Sequence, residues 1–286
     1  MLAPLMRLVS YDVGHGPRAG VLAGERIVDA WELLGGPDGR APTLGSLLRA
    51  GRLGDLEGVE EGPGVPAPDT RLLAPVTDPD KIVCIGLNYV DHAEESGIDL
   101  PETPTFFPKY RNALAPPHAE VALPPWSRQV DYEAEVAFVI GERCKDVPES
   151  EALSKVAGYM LLNDLSARDY QFMTPQWAPG KVFDGSAPCG PALVTPDEAG
   201  DPAAFGIALE LNGETMQSST TANLVHSVVA LVAYLSKLMT LEPGDVVSTG
   251  TPAGVGMSRD PQVWLEPGDV AVVSSPELGR LETTLI

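Results

Sequence analysis

The sequence of 286 residues contains only three cysteines, Cys84, Cys144 and Cys189, and they are widely spaced. Scattered cysteines in odd number argue against a disulfide framework, and no Cys-x-x-Cys pair is present. No apolar run is long enough to span a bilayer, and the first residues, MLAPLMRLVSYDVG, lack the apolar core of a signal peptide. These absences predict a cytoplasmic protein of a reducing compartment that does not insert into membranes.

Basic residues are scarce as well. The chain has 19 Lys and Arg against 40 Asp and Glu, which gives a formal net charge of −21 and a pI near 4.4. A negative field of this size repels nucleic acids and anionic membranes, and no local run of Lys or Arg offsets it. The same field repels small anionic substrates, so a site for an anion needs positive groups of its own. Most of the charge is expected to serve solubility.

Short strands separated by turns make up most of the sequence. Residues 20–28 predict a strand folded back at Ala23-Gly24-Glu25, and Asn212-Gly213 predicts a tight hairpin turn. Residues 224–239 predict the one strong helix, because apolar side chains recur there at helical spacing. Further strands are predicted at 5–11, 81–86, 105–110, 132–140, 156–162, 207–216, 246–249 and 270–284, and a helix at 43–50.

A stretch rich in glycine, proline and acidic residues, 54–69, divides the chain unequally. This composition predicts a linker or a surface crossing. We therefore predict a small N-terminal α+β domain at 1–70 and a larger domain at 71–286. Many short strands with few helices predict an α+β fold that is mainly β, rather than a doubly wound sheet.

Three acidic residues lie in stretches that are typical of buried strands. Glu133 and Glu135 are two residues apart and so lie on one face of their strand, while Asp164 ends another apolar stretch. Like charges beside apolar neighbours are costly unless a cation neutralises them. An all-oxygen set disfavours zinc and suits Mg²⁺, Mn²⁺ or Ca²⁺. The alternative is a set of solvated acids on an edge strand, and spacing alone does not decide between the two.

A histidine and a glutamate follow the strand that is predicted to end at Gly86. His92 and Glu95 are three residues apart and would be neighbours on a helical turn. A carboxylate can hold one ring nitrogen and leave the other to take a proton from water, which is the usual general-base arrangement. Taken alone, a histidine near a glutamate on an exposed helix is more often incidental.

Three further polar residues lie in short motifs after Asp164. If a helix begins there, Arg168 and Gln171 share one face, where Arg168 could meet a carboxylate and Gln171 could donate to an oxyanion. A simple ion pair with a nearby acid is the alternative for Arg168. Lys181 lies between apolar and small residues, where a lysine can stabilise an enolate; alone it would be a surface lysine.

A glycine-rich loop at 248–256 follows a predicted strand. It lacks Gly-x-Gly-x-x-Gly and the Lys-Ser/Thr pair of a phosphate-binding loop, so it does not indicate a nucleotide site. Its glycines suit a tight turn whose backbone approaches a ligand.

In combination and in this order, these segments resemble the fumarylacetoacetate hydrolase family. The similarity runs from about residue 72 to residue 270, and residues 1–70 resemble the small N-terminal domain of longer bacterial members. The matching segments are Ile85-Gly-Leu-Asn-Tyr-x-x-His92-x-x-Glu95, Phe106-Phe-x-Lys109, Gln129-Val-Asp-Tyr-Glu133-x-Glu135, Asn163-Asp164-x-Ser-Ala-Arg168-Asp-x-Gln171, Gly180-Lys181-x-Phe-Asp184, Leu241-x-Pro-Gly-Asp245 and Thr249-Gly-Thr-Pro-x-Gly-Val-Gly256.

The resemblance implies a mixed β-sandwich or β-roll fold, usually assembled as a homodimer. It also implies Mg²⁺ or Mn²⁺ on Glu133, Glu135 and Asp164. His92 and Glu95 would form a water-activating pair on a lid that orders when substrate binds.

The same resemblance implies roles for five more residues. Lys181 and Gln171 would stabilise an oxyanion or enolate, and Arg168 would support the site. Thr251 would contact the substrate carboxylate, and Lys109 is placed with the substrate-binding residues.

The chain departs from the family pattern at three places, one of which is Ala222-Asn223-Leu-Val-His226, where a lead into the helix rich in Ser and Thr is common. Residues 115–118, Ala-Pro-Pro-His, replace a glycine-rich segment that is expected near the rim of the pocket. Pro276 lies in the C-terminal strand region and is expected to interrupt its ladder.

The sequence therefore predicts a metal-dependent enzyme that hydrolyses a C–C bond in an acylpyruvate-type β-diketo 2-oxo acid. His92, held by Glu95, would activate water, and Lys181 would help to hold the leaving enolate. The alternative reaction is isomerisation or decarboxylation of a hydroxymuconate-like or other enolisable 2-oxo dioic acid in aromatic catabolism. A hypothesis of a different class is a degenerate metal-binding protein with a structural or regulatory role. The expected partner is a small 2-oxo acid, with no nucleic acid and no membrane.

Overall fold

A computed structural model describes residues 6–56, 63–97 and 99–286. Leu5, at the start of the first predicted strand, and residues 57–62 of the predicted linker lie outside the described residues. The strands in these ranges are β1 (Arg7–Asp12), β2 (Arg18–Ala23), β3 (Arg26–Asp29), β4 (Val65–Pro66), β5 (Arg71–Leu73), β6 (Ile82–Gly86), β7 (Thr105–Lys109), β8 (Leu114–Ala115), β9 (Ala119–Val121), β10 (Val130–Asp131), β11 (Ala134–Ile140), β12 (Val156–Asn163), β13 (Ser166–Ala167), β14 (Ala187–Val194), β15 (Gly206–Leu211), β16 (Glu214–Thr220), β17 (Val246–Ser248), β18 (Val270–Ser275) and β19 (Gly279–Leu285).

Helices are short and fewer than the strands. The α-helices are α1 (Ala30–Leu33), α2 (Leu44–Arg49), α3 (Val90–Ser96), α4 (Glu149–Ala152), α5 (Arg168–Gln171), α6 (Pro196–Ala199) and α7 (Val228–Leu238), and the 3₁₀ turns are Leu53–Leu56, Arg111–Ala113, Leu153–Lys155, Ala178–Gly180, Thr221–Asn223 and Gly256–Ser258. No helix among the described residues combines the length and the apolar character that crossing a membrane requires.

Among the described residues, two large sheets form the body of the protein, and β10 and β13 make a separate two-stranded sheet. The larger has the strand order β4-β3-β2-β1-β14-β12-β11-β17-β6-β7, with β5 beside β1 and β8 beside β14, and the smaller has the order β16-β15-β18-β19-β9. Most neighbours in the large sheet are antiparallel, but β17 and β6 run parallel. Val136, Phe138 and Ile140 pack with strands of the small sheet and with α7, while Ala137 and Val139 pack on the opposite face. The predicted α+β, mainly β fold is confirmed.

The N-terminal strands extend the large sheet. β1 pairs with β14, and Leu8, Trp31 and Leu44 belong to the same apolar cluster as Ile82 and Val246. Helix α2 begins after Thr43, whose side chain accepts a hydrogen bond from the N–H of Ser46, at the place where the sequence predicts a helix. The boundary at residue 70 stays a prediction.

Several predicted elements change their limits in the structure. The segment 20–28 is a hairpin, β2 and β3, as predicted, and Asn212-Gly213 turns β15 into β16. The predicted helix 224–239 begins only at Val228, because Ser227 caps it, and Leu224 forms a β-bridge with Tyr89 instead. The segment 270–284 is two strands, since β18 ends at Ser275, directly before Pro276.

One end of the large sheet collects the residues of interest. Ala134 at the start of β11 pairs with Asn163 at the end of β12, and Ser248 at the end of β17 pairs with Cys84 near the end of β6. Side chains that follow or precede these positions therefore meet above the same edge of the sheet.

Candidate active site

Three carboxylates converge where β11 begins and β12 ends. Glu133 precedes β11, Glu135 lies within it, and Asp164 follows β12. One oxygen of each carboxylate lies within 4.8 Å of the others, and all three residues are buried. The three predicted metal ligands therefore meet in one place, rather than on an exposed edge.

Two buried lysines neutralise part of this charge. Lys181 Nζ lies 2.6 Å from Glu133 Oε2 and 2.8 Å from Asp164 Oδ2, and Lys109 Nζ lies 2.6 Å from Asp164 Oδ1. Lys181 is thus at the carboxylates, where an enolate could form. Lys109 is behind Asp164 and does not line the cavity, so its geometry favours charge neutralisation over the predicted contact with substrate.

Arg168 connects the carboxylates to a fourth buried acid, Asp131. Its Nη1 lies 2.7 Å from Glu133 Oε1, and its Nη2 lies 2.8 Å from Asp131 Oδ2. Nη1 also donates to Gln171 Oε1 at 3.0 Å, which leaves the amide nitrogen of Gln171 as its available donor. The ion pair that was the alternative for Arg168 is therefore present, and the predicted sharing of one face with Gln171 is present too.

Glu135 differs from the other buried acids of the site. Among the residues that the structure describes, it has no ion pair; its Oε2 accepts a hydrogen bond from the Ser248 hydroxyl and another, of 3.0 Å, from the Gly250 N–H. Burial, followed by the charges of Asp164 and Glu133, raises the pKa of Glu135 well above its ordinary value. For Glu133 burial acts in the same direction, but two cations outweigh it and lower the pKa to about 2. Three buried cations thus face four buried acids in the described part of the chain, and the acid without an ion pair there is Glu135.

The donor set and this imbalance fit a divalent cation. Glu133, Glu135 and Asp164 offer only oxygen atoms, which Mg²⁺, Mn²⁺ and Ca²⁺ prefer. A cation among these three carboxylates would supply the positive counter-charge that Glu135 lacks. Three protein ligands would also leave positions for water and substrate.

The histidine and glutamate lie on α3, as the sequence predicts. His92 Nδ1 is 3.5 Å from Glu95 Oε2, and both residues line the cavity above the carboxylates. Glu95 also accepts a hydrogen bond of 3.0 Å from the Gly254 N–H. Burial would raise the pKa of Glu95, but His92 and the Gly254 N–H outweigh it and lower the pKa. A charged Glu95 can therefore orient the ring of His92.

These groups surround a cavity of about 290 Å³, a volume at the small end for ligand sites. Part of its wall is apolar: Phe107 and Trp177 meet edge to face, with ring centroids 5.8 Å apart. A Cβ at Gly86 would lie 2.2 Å from the Trp177 ring, so only glycine lets the indole lie there. Eight of the ten predicted site residues line the cavity: His92, Glu95, Glu133, Glu135, Arg168, Gln171, Lys181 and Thr251.

The residues at 116–118 lie elsewhere. Pro116, Pro117 and His118 line a separate surface groove with Asp184 and Gly185, and they do not line this cavity. The expectation that residues 115–118 lie near the rim of this cavity is wrong for this structure, because Ala115 pairs with Pro188 of β14 and lines the separate groove with the three residues that follow it.

Sequence reasoning missed three polar residues that hold the site in place. Asp131 forms an ion pair with Arg168. Asn163 Oδ1 accepts a hydrogen bond of 3.1 Å from the N–H of Glu133. Gln217 Oε1 accepts one of 2.9 Å from the N–H of Ala134. Asp131 lies two residues before Glu133, and Asn163 directly precedes Asp164. This closeness to the predicted metal ligands could have indicated that both residues belong to the site. Gln217 comes from the other sheet, and no local pattern indicates it.

Comparison with known proteins identifies the group to which this geometry belongs. Residues 81–286 match the model for the fumarylacetoacetate (FAA) hydrolase C-terminal domain. The chain is a member of the fumarylacetoacetate hydrolase family. Over 217 residues it is 45% identical to a mitochondrial oxaloacetate tautomerase of Xenopus laevis, a match that covers 75% of this chain and 68% of the tautomerase.

Solved structures of family members superpose over nearly the whole chain. The fumarylacetoacetate hydrolase from Exiguobacterium antarcticum gives a TM-score of 0.87 at 33% identity, covering 98% of this chain and 99% of its own. Maleylpyruvate hydrolase from Sphingobium sp. SYK-6, in complex with manganese(II) ion and pyruvate, gives a TM-score of 0.82 at 31% identity, with the same coverage. Similar proteins include hydrolases, isomerases and tautomerases, so the family to which this chain belongs consists of enzymes.

Proposed function

We propose that this chain catalyses the metal-dependent enolisation of a small 2-oxo acid, interconverting its keto and enol forms. The observation that carries the proposal is that Glu133 and Glu135, two of the three clustered carboxylates, line one small cavity together with a histidine held by a glutamate. The similarity to an oxaloacetate tautomerase supports this choice of reaction.

The metal would be held by Glu133, Glu135 and Asp164. When bound, a divalent ion supplies Lewis acidity at the 2-oxo group and so acidifies the neighbouring C3–H bond. Mg²⁺ and Mn²⁺ are the expected ions, with Ca²⁺ as a further candidate. Lys109 pairs with Asp164 and Arg168 with Glu133, so each cation offsets part of the negative charge of these ligands.

The proton steps fall to the side chains on the cavity wall. His92, oriented by Glu95, would accept the proton from C3 and deliver it to the enolate oxygen, which gives the enol; in the reverse direction the proton would return from the oxygen to the carbon. The side-chain amide of Gln171 can donate a hydrogen bond to the enolate oxygen through its nitrogen, because its carbonyl oxygen already accepts a hydrogen bond from Arg168. The ammonium group of Lys181 would add positive charge beside the same oxygen.

A second candidate is the hydrolysis of an acylpyruvate-type β-diketo acid, and the His92–Glu95 pair favours it. The pair could take a proton from water, whose oxygen then attacks the distal carbonyl. The C–C bond breaks, one fragment leaves as a carboxylic acid, and the enolate of the 2-oxo acid takes up the proton. The similarity to maleylpyruvate hydrolase supports this route. Isomerisation or decarboxylation of a hydroxymuconate-like dioic acid would use the same enolate.

Oxaloacetate and acetylpyruvate, tested with Mg²⁺ or Mn²⁺ and again with EDTA, separate these reactions. Enolisation is measured by UV absorbance of the enol and by exchange of the C3 protons in deuterated water, and hydrolysis by the appearance of two acids. We expect metal-dependent exchange with oxaloacetate. Release of two acids from acetylpyruvate would favour the hydrolase. Metal binding without turnover of any 2-oxo acid would favour the degenerate metal-binding protein instead.

The homodimer and the cytoplasmic location stay predictions. Sedimentation of the purified protein at several concentrations would measure the first, and fractionation of cells that express the chain would measure the second.

A further inference from the structure

We infer that Gln217 is a positioning residue for substrate binding: it fixes the Thr251 hydroxyl so that its hydrogen is available to an anionic oxygen in the cavity. The inference rests on the proposed function, since it takes the carboxylate of a 2-oxo acid as the ligand.

Gln217 lies on β16 in the small sheet and crosses to the large one. Its side chain is buried, and its Oε1 accepts a hydrogen bond of 2.9 Å from the backbone N–H of Ala134. Ala134 lies between Glu133 and Glu135, so the amide is anchored on the backbone of the carboxylate strand. Its position is therefore fixed relative to the metal-binding residues.

The other end of the amide fixes the hydroxyl. Gln217 Nε2 donates to the carbonyl oxygen of Pro252 and to Thr251 Oγ1, both at 2.8 Å. A backbone N–H can only donate and a carbonyl oxygen can only accept, so these partners determine which end of the amide is nitrogen. Both amide hydrogens and the amide oxygen have a defined partner.

The consequence falls on the Thr251 hydroxyl hydrogen. Because Oγ1 accepts from Gln217, the hydroxyl keeps its own hydrogen for another acceptor. Thr251 lines the cavity with Glu133, Glu135 and Lys181. A carboxylate oxygen of the substrate is the acceptor whose charge matches this donor best.

The test uses binding of pyruvate in the presence of Mn²⁺, measured by calorimetry, together with KM and kcat for oxaloacetate enolisation. In Gln217→Glu the side chain has no N–H for Thr251, and the Thr251 hydroxyl would donate to the new carboxylate instead of the ligand. We expect the Kd for pyruvate and the KM to rise about tenfold, the effect of one lost hydrogen bond to a charged group, while kcat changes little.

Three companion variants keep the test decisive. Thr251→Val should raise Kd and KM about as much as Gln217→Glu, and the double variant should add little, because both changes remove one interaction. Thr251→Ser keeps the hydroxyl, so its Kd and KM should rise less than those of Thr251→Val. Ser218→Ala, on the exposed side of the same strand, is the matched control and should change neither constant.

Each outcome has one meaning. If Thr251→Val binds pyruvate like the wild type, the inference is overturned even if Gln217→Glu does not fold. If the two single variants weaken binding additively, or lower the melting temperature without changing Kd, Gln217 is only structural and the inference fails while the proposed function stands. If the wild type itself neither binds pyruvate nor enolises oxaloacetate, both fail together.

Discussion

Glu133 and Glu135 line one cavity with the His92–Glu95 pair, but the protein holds the carboxylates and the pair in different ways. β11 and β12 are central strands, buried along their whole length and flanked by β17 and β14. Helix α3 has seven residues, has no side-chain cap at its first turn, and leaves Val90 partly exposed. Outside the helix, Glu95 is held by the Gly254 N–H, and Asp91 by the Ser219 hydroxyl.

This difference separates two tasks. The charge centre is built into the core, so it forms when the central strands pair. The proton-transfer pair depends on a few hydrogen bonds at the surface, so its position is more easily changed by a ligand. The variants below should affect one region and leave the other intact.

The largest effect is expected from Glu135→Gln. Loss of the carboxylate that has no ion pair should abolish tight metal binding and lower kcat/KM by roughly 10³-fold or more. The metal-free variant should melt at a higher temperature than the metal-free wild type, because folding no longer buries an ionisable carboxyl group that has no ion pair. Differential scanning calorimetry with and without Mn²⁺ measures both effects. A variant that is still stabilised by Mn²⁺ like the wild type would contradict the assigned ligand.

The next effect is expected from His92→Ala, which should lower kcat by about 10²-fold, the usual contribution of a general base. Metal affinity and melting temperature should stay near the wild-type values, because the change lies in α3. Glu94→Gln, on the exposed side of the same helix, is the control. A parallel loss of Mn²⁺ affinity in His92→Ala would show that the two regions are not separate.

A smaller effect is expected in amide hydrogen exchange. Pyruvate with Mn²⁺ should slow exchange in α3 about tenfold, since ligand contacts with His92 would hold the helix more firmly in place. Amides of β11 and β12 exchange only through larger openings, and the ligand should slow them no more than the protein as a whole. Mass spectrometry of peptic peptides reports both. Equal slowing in all peptides would mean that α3 is as firmly held as the strands.

The smallest effect is expected at a charge cluster that needs no metal. Burial raises the pKa of Asp29, but hydrogen bonds from Arg18 and Tyr11 outweigh it and lower the pKa. A carboxyl with a lowered pKa adds stability above its unfolded pKa, near 4, and loses it as the pH falls. Asp29→Asn should therefore cost about 1 kcal/mol of unfolding free energy at pH 7 and much less at pH 3.

Urea unfolding at the two pH values checks this, with exposed Asp38→Asn as the control. EDTA should not change the difference between Asp29→Asn and the wild type. A difference that persists at pH 3 would mean that packing, not charge, explains the loss.

The sequence predicts much of the fold because its signals are local. Alternating or continuous apolar runs indicate β11 and β12, and Asn212-Gly213 indicates its hairpin. The sequence predicts the start of α7 four residues too early, because Leu224 and Val225 continue the apolar spacing of the helix. The helix itself begins only after Ser227, which caps its N-terminus. The pairing of β1 with β14 joins residues far apart along the chain, and no local pattern reports it.

For the site, the limits are similar. Glu133 and Glu135 on one strand, and His92 with Glu95 on one helical turn, follow from spacing. The ion pairs of Lys109 and Arg168 depend on which acids the tertiary structure brings near them. Gln217 acts across the two sheets, so its role is visible only once both sheets are in place.

The parallel pairing of β17 with β6, and the pairing of Ala134 with Asn163, bring the start of β11 and the ends of β12, β17 and β6 together at one end of the large sheet, beside the carboxylates. The connection between β11 and β12, at 141–155, lies at the opposite end of these strands, away from the cavity. Its exposed residues, such as Glu149 and Glu151, are the natural attachment points for a dye, a tether or an inserted domain. A protein immobilised through this connection would present its cavity to the solution.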